Sequence, residues 1–297
     1  MTVIEMATAK PYSAETLMLD AEAEIARTAA FMRHSLRADL RRRGFVVGVS
    51  GGIDSAVSAA LAAKAVGPDR VFCIFMPEND SDPDSLALGR QLVAAIGVES
   101  AVIEDIGPTL EAMGCYRRRD DLIRTIVPDY GHGWRCKVAI ANALEGGYAI
   151  TWLVVQNPDG EQSRVRMTPE VYLGLVAATN MKQRTRKQME YFHADRLNYA
   201  VVGTPNRVEY DQGFFVKNGD GAADIKPIAH LYKSQVYQLA AHLGVPEGIR
   251  RRAPTTDTWS LAQGQDEFYY SLPWAQMDLC LYGLDNGIVA SAVASAA

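Results

Sequence analysis

Along the N-terminal third of the chain, short unbroken apolar runs alternate with stretches whose apolar residues recur at helical spacing. Phe45-Val-Val-Gly-Val-Ser50 is one such run, of strand length and without the alternation of a half-exposed strand, so it predicts a strand buried in a parallel sheet. A Gly-Gly turn and a helical pattern over Ile53 to Val66 follow it. Arg70 to Met76 predicts a second strand, Pro83 to Ile96 a helix opened by its proline, and Glu99 to Asp105 a third strand. Ahead of these, Ile25, Ala29, Phe31, Met32 and Leu36 mark Ala21 to Arg43 as helical. Strand alternating with helix predicts an α/β fold with a central parallel sheet and helices on both faces.

The middle of the chain breaks this rhythm. Ala149 to Val155 and Gln162 to Met167 are strand-like and flank Asn157-Pro-Asp-Gly160, a strong turn signal, so a β-hairpin is expected between helices. Pro169 then opens a helix running to about Asp195, Tyr199 to Gly203 is a strand, and Lys233 to Leu243 is a helix stopped by Gly244 and Pro246. Beyond Pro254 the periodicity fades, and the small residues of Ile288 to Ala297 predict a frayed tail. The chain reads as a single domain over 1–297, with a helical N-terminal extension over 1–44 and a hairpin inserted at about 149–167.

Composition narrows the class. The chain has 297 residues, 48% of them hydrophobic. At that length a domain buries about three quarters of its unfolded surface and needs no disulfide or metal for stability. Cys73, Cys115, Cys136 and Cys280 form no Cys-x-x-Cys pair, which argues against a disulfide framework and a structural zinc site. His132 and Cys136, with Cys115 upstream, lack a fourth zinc ligand. Met1 to Thr16 has no apolar core of signal-peptide length, and no run reaches membrane-span length, so a cytoplasmic protein without membrane association is expected. A formal charge of −5, from 30 basic and 35 acidic side chains, disfavours nucleic acid as a partner. The triplets Arg41 to Arg43, Arg117 to Arg119 and Arg250 to Arg252 are expected on solvated faces.

The chemistry concentrates in Val49-Ser-Gly-Gly-Ile-Asp-Ser55, where a strand ends and a helix begins. Ser50, Gly51, Gly52 and Ser55 offer hydroxyls and unhindered N–H groups to an anion, with a helix N-terminus behind them. The chain contains no Gly-Lys dipeptide and no Gly-x-Gly-x-x-Gly, so it is neither a Walker A loop nor a dinucleotide fingerprint. A strand-to-helix turn takes glycine for geometry alone. Asp54 beside the loop adds the point that a Mg²⁺ between carboxylate and phosphate would use it.

This loop resembles that of the pyrophosphate-loop (PP-loop) adenylating enzymes, which carry Ser-Gly-Gly-x-Asp-Ser. The resemblance narrows at Val202-Gly-Thr-Pro-Asn-Arg-Val-Glu209, at Gly213 to Ile228, at Leu231-Tyr-Lys233 and at Ala253-Pro-Thr255, which are similar to the ordered blocks of the NAD synthetase family. It implies the adenine nucleotide alpha hydrolase-like (PP-loop) three-layer fold. It also implies ATP and Mg²⁺ as cofactors, deamido-NAD and ammonia as substrates, and a homodimer with substrate sites near the subunit interface. Residue by residue it implies that Ser50, Gly51, Gly52, Asp54, Ser55, Thr204, Lys233 and Thr255 bind ATP, and that Asp54 and Glu209 hold the metal. Lys233 and Asp54 would carry the chemistry, and Arg184, Lys217 and Asp224 would contact the dinucleotide.

The residues themselves agree with parts of this. Glu209 follows a strand end, where ligands gather in open α/β sheets. Lys233 at a helix start opposes the N-terminal dipole unless it faces a phosphate. Thr204 and Thr255 suit nucleotide contacts or helix caps, Gly219-Asp-Gly221 is also an ordinary tight turn, and Arg184 also fits an exposed helix face. The inserted hairpin and the absence of a C-terminal His-Lys pair depart from the compact bacterial form of the family. A related PP-loop ligase amidating another carboxylate, a nucleotide-binding module without turnover, and a tRNA-modifying PP-loop enzyme are the alternatives. Net charge and the missing cysteine pair count against the last.

Overall fold

The computed structural model describes residues 12–140 and 150–297. Helix α1 (Ala21–His34) starts at Asp20, whose carboxylate caps Ala23 N at 3.0 Å. It passes into a widened turn over Ser35–Asp39 and stops short of the predicted Arg43, because Arg41 takes a left-handed φ of 53°. Strand β1 (Phe45–Gly48) leads into α2 (Ile53–Val66), followed by β2 (Val71–Phe75), α3 (Pro83–Ala95) and β3 (Ala101–Ile103). The strands are shorter than the apolar runs that predicted them, since the last residues of each run, such as Ser50 and Asp105, pass into the following turn.

Strand β1 pairs in parallel with β2, with Phe45 opposite Val71. The period of two sorts the side chains into layers. Phe45 and Val47 join Cys73, Met32 of α1, Leu61 of α2 and Leu92 of α3 on one face, whereas Val46 and Ile74 face the opposite side.

Short helices α4 (Gly107–Ala112) and α5 (Cys115–Arg124) lead to β4 (Arg135–Ile140), β5 (Thr151–Gln156) and β6 (Gln162–Arg166). The predicted hairpin is present as β5 and β6, antiparallel from Trp152↔Arg166 to Gln156↔Gln162. Ala149 of its predicted first strand lies outside the described residues. The hairpin is two thirds of a separate three-stranded sheet, because β4 pairs antiparallel with β5. The alternation of Cys136 and Val138 with Arg135 and Lys137 carried the signal for β4.

Helix α6 (Pro169–Leu197) is long and continuous, capped by Thr168 and ended at Asn198 with φ 55°. Its first half, through Val171 and Leu175, packs on the small sheet, and Ala194 near its end packs under Val46 and Ile74. Strand β7 (Ala200–Val202) completes the four-stranded parallel order β3-β2-β1-β7. The parallel sheet is therefore a middle layer, with α1, α2 and α3 on one face and α6 on the other, as the sequence predicted.

Helices α7 (Arg207–Gln212), α8 (Lys233–His242), α9 (Glu247–Arg251), α10 (Trp274–Asp285) and α11 (Ala290–Ala296) complete the chain. The expected frayed tail is helical instead. Val293 of α11 lies so close to Gly283 of α10 that a Cβ there would come within 2.5 Å of it, and the alanines favour helix on their own.

Candidate active site

The Ser50 to Ser55 loop is held open from within and braced from outside. Ser50 and Ser55 hydroxyls lie 3.1 Å apart, Ser50 N donates to Ser55 Oγ at 3.2 Å, and Ser55 Oγ donates to Gly52 O at 3.0 Å. Gly51 has φ 76°, and a Cβ there would sit 2.6 Å from the Ser85 carbonyl, so only glycine lets the loop pass under α3. Arg252 donates to Gly51 O at 3.4 Å and to Ser85 Oγ at 3.1 Å, and pairs with Asp82 at 3.1 Å. Arg252 is thus no solvated member of its triplet. Nor is Arg119, whose side chain is 12% exposed and pairs with Asp80 at 2.5 Å.

Helix α2 carries Asp54 in its first turn, α7 carries Glu209, and α8 begins with Lys233. The fold brings these together. Lys233 Nζ is buried and ion-paired with Asp54 Oδ2, and Asn206 Nδ2 donates to Asp54 Oδ1 at 3.1 Å. Glu209 closes a capping box on α7: Asn206 N donates to Glu209 Oε2 at 2.9 Å, while Glu209 N donates to Asn206 Oδ1 at 3.2 Å. Gln265 Nε2 donates to the other Glu209 oxygen at 3.1 Å.

Burial, and after it the Asp54 carboxylate, pushes the Glu209 carboxyl up to about 8. Burial would discharge Lys233, but Asp54 and Glu209 outweigh it and raise its pKa overall. Two hard carboxylates that resist joint ionisation beside an anion-binding loop are the donor set that a Mg²⁺ shared with phosphates takes. The residues therefore fit that ion.

These groups line a cavity of about 550 Å³ running from the loop to α6, a size suited to a nucleotide-sized ligand. Thr204, Thr255, Ser50, Gly52, Asp54, Ser55, Glu209 and Lys233 are on its wall. Arg184, Lys217 and Asp224 are not. Arg184 Nε donates to the Lys217 carbonyl at 3.1 Å, so these two lie together. Asp224 accepts Val201 N at 2.8 Å and the Tyr191 hydroxyl at 3.4 Å, so one of its oxygens holds β7 and the other α6.

Several residues at the site escaped the sequence reading. Asn206 stood inside a quoted motif, and the spacing Asn-x-x-Glu209 is a legible capping box. Lys187 and Glu190 form a buried pair at 2.5 Å on the cavity side of α6, yet at i,i+3 spacing they read like an ordinary surface pair. Glu190 lies against Gly48, where a Cβ would come 2.7 Å from its Oε1. Gly48→Ala should cost about 1–3 kcal/mol in denaturant unfolding through this overlap. Glu190→Ala in the same chain should recover part of it, and equal losses with and without Glu190 would contradict the contact.

Residues 24–125 and 160–295 match the sequence model of the family described as NAD synthase. The unmatched stretch between them holds β4 and β5, which marks much of the small sheet as additional to the family pattern. A relative from Rhizobium meliloti (strain 1021), an NH(3)-dependent NAD(+) synthetase, is 69% identical over 287 residues, spanning 96% of this chain and 85% of its own. The fold also superposes on an NMN synthetase from Francisella tularensis, with TM-score 0.65 and 24% identity, over 90% of this chain and 87% of that one. An NH3-dependent NAD synthetase from Campylobacter jejuni gives TM-score 0.60 at 22% identity, over 94% of this chain and 92% of that one. At those identities the two structures speak to the fold. With most of its length matched to one family and a relative at 69% identity over nearly all of it, the chain belongs to the NAD synthase family.

Proposed function

We propose that this protein is an ATP-dependent amide-forming ligase that converts deamido-NAD to NAD with ammonia, releasing AMP and pyrophosphate. The observation that carries the reading is the Asp54–Lys233–Glu209 cluster, set at the mouth of a glycine-rich loop on one wall of a nucleotide-sized cavity.

A carboxylate is a poor electrophile, so it must first displace pyrophosphate from the ATP α-phosphorus to become an acyl adenylate; ammonia then displaces AMP. In this reading the loop N–H groups, the Ser50 and Ser55 hydroxyls and the α2 N-terminus hold the departing phosphates. Lys233 faces the same charge from the opposite side, aimed by its ion pair with Asp54. Asp54 and Glu209 would hold Mg²⁺, which when bound offsets phosphate charge as the leaving group departs. Thr204 and Thr255 contact the nucleotide from the cavity wall, and catalysis is mainly positioning.

Nitrogen enters as ammonia. A glutaminase of the cysteine type needs an accessible thiolate, whereas Cys73, Cys115 and Cys136 are buried, with Cys73 pushed up to about 12 by burial. Cys280 is half-buried on α10. Glutamine in place of ammonium should support no turnover, and equal use of the two would sink this assignment.

Arg184 and Lys217 take the far half of the dinucleotide in this reading. Gln183 and Asp220, which are on the cavity wall and 3.4 Å apart, connect the cavity to their neighbours Arg184 and Lys217. Asp224 supports that end by fixing the close of β7. Lys217→Ala should raise the KM for deamido-NAD about tenfold, the cost of one charged contact, with the KM for ATP unmoved. An unchanged dinucleotide KM would remove Lys217 from the site.

A homodimer accounts for the apolar side chains that α6 leaves exposed, Leu173 at 63% and Phe192 at 57%, and sedimentation would test it. No helix among the described residues is long and apolar enough to cross a membrane, and a cytoplasmic setting suits the free cysteines. The deciding experiment is incubation with ATP, Mg²⁺, ammonium and deamido-NAD, following NAD by mass spectrometry. AMP formed from another carboxylate with no NAD would keep the adenylating chemistry and overturn the substrate.

A further inference from the structure

We propose that Asp278 of α10, which lies outside the cavity, is a positioning residue for Lys233 and through it for ATP. Helix α8 begins at Lys233, and its first N–H groups need acceptors that lie outside the helix. The residue before it is Tyr232, which has no acceptor short enough to cap its own helix, and Gln235 only satisfies Tyr232 N, at 3.0 Å. The cap comes from far along the chain. Asp278 is fully buried and accepts Lys233 N at 3.2 Å and Ser234 N at 2.6 Å.

Burying a carboxylate is costly unless it is well bonded, and a serine or threonine at position 232 would cap the helix without that cost. The arrangement does more than cap. Lys233 has a long flexible side chain, and it is fixed at both ends: its backbone by Asp278 and its ammonium by Asp54.

One helix turn pair further along α10, Asp285 accepts the Tyr232 hydroxyl at 2.9 Å and Arg207 Nη2 at 2.6 Å. Arg207 opens α7, the helix that carries Glu209, and its guanidinium lies 4.6 Å from the Tyr232 ring centroid. Thus α10 grips the two helices that deliver Lys233 and Glu209, and does so with carboxylates at the start of each.

The inference rests on the ATP-dependent reading above, and it is tested by direct MgATP binding, which does not depend on which acid is amidated. Asp278→Asn keeps the shape and one acceptor oxygen but places an N–H₂ group against the helix start. It should weaken MgATP binding in calorimetry about tenfold and raise the KM for ATP in step, with the KM for deamido-NAD unchanged and the protein folded by circular dichroism. In a Lys233→Met background the same substitution should add nothing to the loss of ATP binding, since it acts through Lys233. A variant that melts earlier but binds MgATP as the wild type does would make Asp278 a plain helix cap and overturn the inference. So would equal losses in both backgrounds, or failure of both Asp278→Asn and Asp278→Ser to fold. Wild-type protein that bound no MgATP would instead break the functional reading itself.

Discussion

Glu209→Gln should lower ATP-dependent pyrophosphate release by roughly two orders of magnitude or more while leaving the protein as stable as the wild type at neutral pH, or more so. The activity loss follows from removing one of the two carboxylates offered to Mg²⁺. The stability follows from the carboxyl's position: burial and the facing Asp54 carboxylate hold it up to about 8, so at neutral pH the metal-free protein already keeps a proton there. An amide in its place retains the acceptor for Asn206 N. The sign can be checked by titration. A carboxyl whose pKa rises on folding binds more protons in the native state, so its contribution is present below the ordinary value of 4.5 and is lost as pH climbs towards about 8. Denaturant unfolding in the presence of a chelator should show that decline in the wild type and a flatter profile in Glu209→Gln. Asp54→Asn should be equally inactive but distinctly less stable, because Lys233 is then buried against a neutral partner. Near-normal turnover in both variants would sink the metal assignment.

That contrast was not available from the sequence, which does not tell how deeply either carboxylate is buried. The elements themselves were largely legible. Helix α2 runs over Ile53–Val66 as its apolar period predicted, and β1, β2, β3 and β7 all fall inside their predicted runs; β1, β2 and β7 are largely buried and so carry near-continuous apolar runs, while β3 is the exposed edge strand. What failed were elements whose burial comes from partners remote in sequence. Helix α10 has apolar residues all round and a buried aspartate, so no period emerged, yet that aspartate is explained once α8 is seen to need an acceptor. Strand β4 has only half of its pattern on an apolar face, and its partner β5 comes after intervening chain.

The site was legible in kind rather than in contact. Gly52, Asp54, Glu209 and Lys233 were named by motif and meet at one wall of the cavity, whereas Gly51, named with them, passes under α3 instead. Their bonding partners were not: Gln265, on Glu209, comes from the stretch beyond Pro254 where the periodicity fades, and Arg252, on the Gly51 carbonyl, stood in a triplet that reads as surface charge. The two misjudged arginines fit the same account: Arg119 and Arg252 look like surface charge in one dimension and find Asp80 and Asp82 only in three.

Lys233→Met gives the sharpest test of how the cluster divides its labour. The side chain is 2% exposed, so methionine fills the same space with little loss of packing, and only the charge is removed. If Lys233 faces the departing pyrophosphate, turnover should fall by roughly two to three orders of magnitude, the size of losing one preorganised charge at developing negative charge. Metal dependence should move the opposite way. In the wild type the ammonium sits on Asp54 and repels an arriving cation; without it Asp54 loses its counter-charge and the site is more negative. A divalent cation is then drawn in more strongly than before, so half-maximal activation should come at a lower Mg²⁺ concentration in the variant. A Mg²⁺ titration of pyrophosphate release reads both quantities in one experiment. A lysine that only stabilises the fold would lower the amount of active protein without shifting the Mg²⁺ midpoint, and a variant keeping turnover within a few-fold would remove Lys233 from the chemistry. Lys233→Arg should not rescue it, because the planar guanidinium is larger than the enclosed space that the ammonium occupies between α8 and Asp54.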